Sequence, residues 1–281
     1  MVSLAEKRRA ALYLQKNYQV SERRSCRVLR LNRMTKRRSW PRKEEVLLRQ
    51  GIHHLSEKYP RFGYRKIFDK LKEAGIAVGR ERVRLIRKQE GLQVIKKQKK
   101  RRLLGKSTAQ LGKAEYPHHV WSYDLVADQT ADGRRLKCLT VVDEYTRYGL
   151  KIYSARSITS GHVKKVLQRL FDQWGTPTCI KSDNGPEFVA RKIQDWLKQT
   201  GVKTKYIDPG SPWQNGHNES FNGVFRDGCL DRWLFYSVQE AKRVIDRWLD
   251  EYNNERPHGA LDGKTPATFM DMCLEKKRNA A

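Results

Sequence analysis

The sequence has few cysteines, no long apolar run and a shortage of acidic residues, and each scarcity excludes a class of protein. The five cysteines lie far apart, at positions 26, 138, 179, 229 and 273. This spacing indicates neither a disulfide framework nor a zinc site, and it predicts reduced, mostly buried thiols. No apolar run approaches the ~20 residues that a membrane span requires. Because no secretory segment is recognisable either, we expect a soluble cytoplasmic protein.

The charge is strongly positive and unevenly distributed. The 281 residues include 59 Lys and Arg against 31 Asp and Glu, a formal net charge of +28. Residues 1–110 carry 33 of the basic and 9 of the acidic residues, a net of +24, whereas the remainder carries only +4. A basic segment attracts polyanions, and release of counterions strengthens its binding to nucleic acid. The asymmetry therefore favours nucleic-acid binding over a merely solvated charged surface.

Apolar spacing predicts helices throughout the basic part. Residues 1–42 form a basic segment with two short helices, over 4–16 and 21–31. Residues 43–92 fit three helices, and the third displays a cationic face. A helix-turn-helix module needs such a helix to enter the major groove, although a helical hairpin with a solvated basic face is the alternative. The predicted DNA contacts on the third helix are Arg80, Arg82, Arg84, Arg87 and Lys88.

After a basic linker, the sequence changes to an α/β pattern. Residues 93–115 contain KKQKKRR without sustained periodicity, which indicates the linker. Three strands, a helix, a strand, a helix, a strand and a helix then follow, which is the order of a ribonuclease H-like domain. We predict this core, a five-stranded mixed sheet with flanking helices, at 116–270, and a C-terminal tail at 271–281. The predicted strands cover 119–126, 136–143, 148–153, 178–182 and 202–207.

Three carboxylates of the core occupy positions that suit catalysis. Asp124 lies within the first strand, where a charge is costly to bury without a partner or a cation. Asp183 follows a later strand, and Glu219 lies near the start of a helix, with 35 residues between the two. Taken singly, Asp183 is typical of a turn and Glu219 of a helix N-terminus. Three converging carboxylates would instead need divalent cations, for which Mg²⁺ or Mn²⁺ is the suitable hard ion.

Several motifs resemble the integrase-type catalytic domain that retroviral integrases share with many bacterial insertion-sequence transposases. They are WSYDLV at 121–126, KSDNGPEF at 181–188 and SPWQNGHNESFNGVFRD at 211–227, and YNNERPHGALDGKTPATF at 252–269 extends the match. The interval from Asp183 to Glu219 is that of the Asp-Asp-35-Glu family. Segments RFGYRKI and ERVRLIRKQEGL resemble the helix-turn-helix of second-reading-frame proteins of insertion sequences. No His-His-Cys-Cys zinc domain is recognisable, which favours the insertion-sequence branch over the viral enzymes.

This resemblance implies a DNA transposase that cleaves element ends and transfers them to target DNA. Asp124, Asp183 and Glu219 would be the catalytic residues and would hold two Mg²⁺ or Mn²⁺ ions. Arg226 follows Glu219 by two helical turns and would contact DNA. The expected partners are duplex DNA of the element ends and target, further copies of the chain on that DNA, and an upstream-frame helix-turn-helix and leucine-zipper protein or fusion. The expected location is the nucleoid, and the rival interpretation is a catalytically silent DNA-binding regulator on the same core.

Overall fold

A computed structural model describes residues 4–37, 43–94, 114–182, 191–206 and 216–279. Within these ranges, no helix combines the length and the apolar composition that crossing a membrane requires. The first range holds three helices, one more than predicted. They are α1 (Leu4–Tyr18), α2 (Glu22–Val28) and α3 (Arg33–Arg37). Gln15 of α1 connects them, because its amide donates to Ser25 Oγ at 2.9 Å and accepts from Lys36 Nζ at 3.0 Å.

The second range forms a three-helix unit with its own apolar core, which confirms the predicted helix-turn-helix segment. Gly75, at φ +75°, turns the chain after the second helix, and the left-handed conformation there suits glycine. The helices are α4 (Lys43–Lys58), α5 (Tyr64–Glu73) and α6 (Arg80–Gln89). Their shared core consists of Ile52, Tyr59, Phe62, Ile67, Leu71, Val83 and Ile86.

The third part of the chain carries the predicted five-stranded mixed sheet. Strand order is β3-β2-β1-β4-β5, with β1 antiparallel to β2 and parallel to β4. Strands β2 and β3 are antiparallel, and β4 and β5 are parallel. The central strand is therefore β1. The strands are β1 (Val120–Gln129), β2 (Arg135–Asp143), β3 (Gly149–Ala155), β4 (Cys179–Ser182) and β5 (Lys203–Tyr206).

Helices cover both faces of this sheet. On one face, Trp121 and Tyr123 of β1 pack into the core formed with α7 (Ser160–Trp174) and α8 (Arg191–Gln199). On the other, Val126 packs into the core formed with α9 (Gly216–Gly228) and α10 (Val238–Glu255). Successive strand side chains alternate between faces, so Asp124, two residues before Val126, points to the α9 side. Asp124 therefore lies on the face of β1 that α9 covers, so a site that includes Asp124 lies between β1 and α9.

The C-terminal boundary differs from the predicted one. Helix α11 (Pro266–Asn279) runs across position 270, so the residues expected to form a tail continue a helix whose Met270 is buried. The helix-turn-helix unit also contacts the core directly. Arg61 Nε donates to Asp227 Oδ2 at 2.9 Å, and Glu255 binds both the Tyr59 hydroxyl and Lys58 Nζ. The three-helix unit is therefore attached to α9 and to the C-terminal end of α10.

Candidate active site

Asp124 lies half-buried in the middle of the central strand, opposite Thr140 of β2. Its Oδ1 accepts a hydrogen bond of 2.7 Å from the backbone N–H of Leu125. Its Oδ2 accepts one of 2.8 Å from Asn222 Nδ2 on α9. The two bonds together fix the carboxylate, because one oxygen is held by the strand backbone and the other by a side chain of α9. Asp124 is thus oriented toward α9 by its strand and by the helix.

Asn222 is oriented in turn by Thr140. The Thr140 hydroxyl donates to Asn222 Oδ1 at 2.9 Å, which leaves the amide NH₂ of Asn222 pointing at Asp124. Thr140 is fully buried, so this contact is shielded from solvent. Neither Asn222 nor Thr140 was predicted as a site residue. The available signal was that Asn222 lies three residues after Glu219, a spacing that puts both on one helical face.

Glu219 lies in the first turn of α9, and its side chain is exposed. It shares a face of that helix with Asn222, which contacts Asp124, so Glu219 lies on the side of α9 that faces β1. Arg226, two turns after Glu219, is also exposed. Its Nη2 donates to the carbonyl oxygen of Ala127 in β1, at 2.8 Å. One helical face therefore carries a carboxylate at its start and a strand-anchored guanidinium near its end.

The third predicted carboxylate, Asp183, lies outside the described residues. In the sequence it directly follows Ser182, the last residue of β4. Strand β4 is the parallel neighbour of β1, with Lys181 paired to Ser122. The same strand is fixed by a buried ion pair, in which Lys181 Nζ lies 3.2 Å from Glu144 Oε1. The described part of the site therefore comprises two of the three carboxylates and the strand that precedes the third.

The chemistry of these donors fits a hard divalent cation. Asp124 and Glu219 offer carboxylate oxygens, the ligands that Mg²⁺ and Mn²⁺ prefer. Among the described residues, no group of three His, Cys, Asp or Glu side chains is arranged to hold a metal ion. Asp183, the additional ligand that the sequence predicts, is not among them. The donor set is thus of the right type, and the described residues supply part of it.

The five cations predicted on α6 separate into two groups. Arg80, Arg84 and Lys88 are spaced four residues apart and lie on the solvent side, although Arg84 also pairs with Glu81 at 2.8 Å. Arg82 instead forms an ion pair with Glu45 of α4. Three of the five predicted residues, Arg80, Arg84 and Lys88, therefore form an outward-facing cationic row on α6.

Arg87 corrects the predicted set. It is 3% exposed, and it donates to the carbonyl oxygens of Phe62, at 2.8 Å, and Leu92, at 2.6 Å. Burial lowers the pKa of its guanidinium. Its donors are directed into the three-helix unit rather than toward a groove of DNA, because position 87 adjoins the buried Ile86. Arg87 therefore stabilises the helix-turn-helix segment.

Comparison with family models assigns a description to each part of the chain. Residues 114–212 match one model of an integrase core domain, and residues 200–266 match a second model with the same description. Residues 41–100 match an HTH-like domain. Together these matches cover the three-helix unit, the sheet and α9, and they extend through α10.

Two relatives of similar length come from bacterial insertion elements. The uncharacterized 31.7 kDa protein of insertion element IS407, from Burkholderia multivorans, is 36% identical over 89% of this chain and 90% of that protein. The uncharacterized 39.2 kDa protein of insertion element IS476, from Xanthomonas euvesicatoria, is 36% identical over 98% of this chain and 80% of that protein. Among solved structures, the HTLV-2 integrase catalytic core domain in complex with magnesium aligns with a TM-score of 0.45 and 19% identity. That alignment covers 55% of this chain and 97% of the viral chain.

Proposed function

This chain belongs to the integrase-core transposases of bacterial insertion sequences, relatives of the retroviral integrases, and we propose that Asp124, Asp183 and Glu219 form its catalytic centre. The family is one of DNA polynucleotidyl transferases, so the reaction is phosphodiester cleavage and strand transfer in transposition. The observation that supports the residue assignment is the 2.8 Å hydrogen bond from Asn222 to Asp124. It joins the strand that carries one carboxylate to the helix that carries another.

The same residues would hold the metal. In this proposal the carboxylates of Asp124, Asp183 and Glu219 would together hold two Mg²⁺ or Mn²⁺ ions. Such a pair, when bound, stabilises the attacking and leaving oxygens of an in-line displacement at phosphorus. The protein contributes by orienting Asp124, through Asn222 and the Leu125 N–H, before DNA arrives. Preorganised ligands cost no rearrangement during the reaction.

DNA is the partner of both halves of the chain. We propose that Arg80, Arg84 and Lys88 bind the backbone of the element end, and that Arg226 holds a phosphate near the carboxylates. Further copies of the chain would assemble on the paired ends. An upstream-frame helix-turn-helix and leucine-zipper protein or fusion would complete end recognition. The reaction would take place at the nucleoid.

The direct test is a strand-transfer assay with duplexes that carry the terminal sequence of the encoding element. The chain is mixed with this DNA and a target plasmid in Mg²⁺, with and without the upstream-frame protein. Products joined through the 3′ ends, present only with the divalent ion, support the proposal. Terminal DNA that is bound but never cleaved under either condition would favour the silent regulator instead.

Asn222 is a positioning residue whose loss should weaken metal binding. We expect Asn222→Ala to lower strand transfer roughly tenfold to a hundredfold, because a hydrogen bond to a charged group contributes about 1.5–3 kcal/mol. The variant should also need more Mn²⁺ for half-maximal activity, since Asp124 loses the donor that orients it. Ser220→Ala, on an exposed position of the same helix, is the matched control. An unchanged Mn²⁺ requirement in Asn222→Ala would contradict this role.

Arg226 should affect strand transfer without affecting metal binding. A guanidinium has only donors and cannot coordinate a cation, but it can grip a phosphate with paired hydrogen bonds. We expect Arg226→Ala to lower strand transfer roughly tenfold to a hundredfold, by loss of about 1–3 kcal/mol, while calorimetry gives normal Mn²⁺ affinity. Arg226→Lys should restore only part of the activity, because an ammonium lacks the planar fork. Normal strand transfer in Arg226→Ala would contradict a role in DNA binding, and the hydrogen bond to Ala127 would then be the function of this side chain.

A further inference from the structure

Two cations and a histidine meet between the helix-turn-helix unit and the core. Lys66 lies in the first turn of α5, Arg256 follows α10, and His258 lies two residues later. The Lys66 ammonium is 5.2 Å from the centre of the Phe62 ring, and the Arg256 guanidinium is 5.3 Å from the same ring. The His258 ring packs edge-on against Tyr252, with the ring centres 5.1 Å apart.

Two side-chain nitrogens of this cluster lack a hydrogen-bond partner. Arg256 Nε and His258 Nε2 are buried, and neither has a hydrogen-bond partner. Within the described part of the chain, no carboxylate forms an ion pair with Lys66 or Arg256. Glu255, next in sequence to Arg256, is engaged by Lys58 and Tyr59. Buried polar groups in native proteins are nearly always paired, so this seam lacks an acceptor.

Burial and neighbouring cations both disfavour the charged forms of this cluster's side chains. Burial, with a smaller contribution from the neighbouring Arg256, lowers the pKa of Lys66 to about 7. Burial also lowers the pKa of Arg256 to about 10 and that of His258 to about 3. Arg147, from the hairpin between β2 and β3, adds another positive charge near His258. Asp69, one turn further along α5, acts in the opposite direction and raises the pKa of Lys66.

The cluster also lies directly behind the catalytic helix. Tyr252 contacts His258 on one side and Phe221 of α9 on the other, with the Phe221 ring centre 4.9 Å away. Phe221 is the residue between Ser220 and Asn222, so its helical turn adjoins that of Glu219. Arg147 approaches the same helix, because its guanidinium contacts His217 in the first turn. A ligand at this seam would touch both the DNA-binding unit and the support of the active site.

We propose that Lys66, Arg256 and His258 form a phosphate-binding site that takes a backbone phosphate of bound DNA where the strand passes from the helix-turn-helix unit to the core. Arginine and lysine are the side chains that bind phosphate best, the first by its fork and the second as a point charge. An anion would supply the missing acceptor and neutralise charges that burial otherwise disfavours. That DNA is the source of the phosphate rests on the proposed function, whereas the anion site itself does not.

The first test uses inorganic phosphate and the full-length chain at pH 6, where phosphate is chiefly a monoanion like a phosphodiester. Thermal unfolding is compared in sodium phosphate and in sodium chloride of equal ionic strength. We expect phosphate to raise the unfolding midpoint of the unaltered chain. Lys66→Gln with His258→Asn should bind phosphate at least about tenfold more weakly. Lys72→Gln, an exposed position on the same helix, is the matched control and should keep the full effect.

The unfolding midpoints in chloride separate ligand binding from a purely structural role. Lys66 is half-buried and forms no ion pair with a carboxylate among the described residues. Removing its charge should therefore leave the unfolding midpoint of Lys66→Gln equal to or above that of the unaltered chain in chloride, yet below it in phosphate. A structural role for Lys66 predicts a lower midpoint in both salts. If phosphate stabilises the double variant as well as the unaltered chain, or if Lys72→Gln loses as much, the anions bind surface cations and the site is refuted.

The second test replaces inorganic phosphate by duplex DNA. We expect the slope of log affinity against log salt to fall by about 0.9 in Lys66→Gln and to stay unchanged in Lys72→Gln, as loss of one phosphate contact predicts. An unchanged slope in both would overturn the assignment to DNA and leave a site for free phosphate only. Neither measurement involves cleavage. A chain that binds phosphate at this site but transfers no strand would therefore contradict the proposed function, not the anion site.

Discussion

Strand transfer should fall by at least about three orders of magnitude in each of Asp124→Asn, Asp183→Asn and Glu219→Gln. Each change removes one negative ligand and keeps the size of the side chain. Because ligands shared between two ions hold both, losing one carboxylate weakens the whole centre. The loss corresponds to about 4 kcal/mol of transition-state stabilisation. The measurement is joined product from terminal DNA in Mg²⁺, with Asp195→Asn on α8 as an exposed control of equal charge change.

The same variants should fold and bind DNA normally. Glu219 is exposed, so Glu219→Gln leaves no buried group without a partner. Asp124→Asn keeps an oxygen that can accept from the Leu125 N–H, although its new amide group faces the Asn222 donor. A small drop in the unfolding midpoint is therefore expected at position 124 and none at 219. Transfer at the unaltered rate in any one variant would remove that residue from the proposed centre.

The core could be predicted from sequence because its apolar pattern changes with each element. Alternation in the strands and the i, i+3, i+4 spacing in α7 arise from burial on fixed faces, which local sequence encodes. The five predicted strands all exist, and the structure extends the first from residue 126 to Gln129. The segment predicted as a C-terminal tail is helical, because α11 continues past Met270 with mostly exposed residues whose sequence resembles a tail.

The orientation of individual side chains was harder to predict from the sequence. Arg87 looked like a DNA contact because cations were counted along α6 without their helical phase. Val83 and Ile86 are buried, and position 87 lies one helical turn after Val83 on the same buried face. The spacing of apolar residues along α6 therefore predicts that Arg87 is buried. The contact between Asn222 and Asp124 joins residues 98 positions apart. The seam between Lys66 and Arg256 likewise depends on how two separate units pack, which no local pattern specifies.

The second large expected effect is a loss of affinity for duplex DNA when the cations of α6 are removed. We expect Arg80→Gln, Arg84→Gln and Lys88→Gln, combined in one full-length chain, to weaken duplex binding on the order of a hundredfold or more at moderate salt. The slope of log affinity against log salt should fall by about 2.7, since each phosphate contact contributes about 0.9. Arg84 pairs with Glu81 and lies near Tyr64, and Arg80 lies over the Phe68 ring, so we expect at most a small drop in the unfolding midpoint.

Two matched changes make this result specific to α6. The first removes three cations from the core instead of α6, with Lys165→Gln, Arg169→Gln and Lys198→Gln on exposed positions of α7 and α8. The second is Arg82→Gln, which removes a charge from α6 itself but breaks the ion pair with Glu45 instead of a DNA contact. We expect the first to keep the full salt slope and the second to lower the unfolding midpoint while changing the slope little. If the α7 and α8 variant loses as much affinity as the α6 variant, DNA responds to overall charge, and α6 is not a recognition helix.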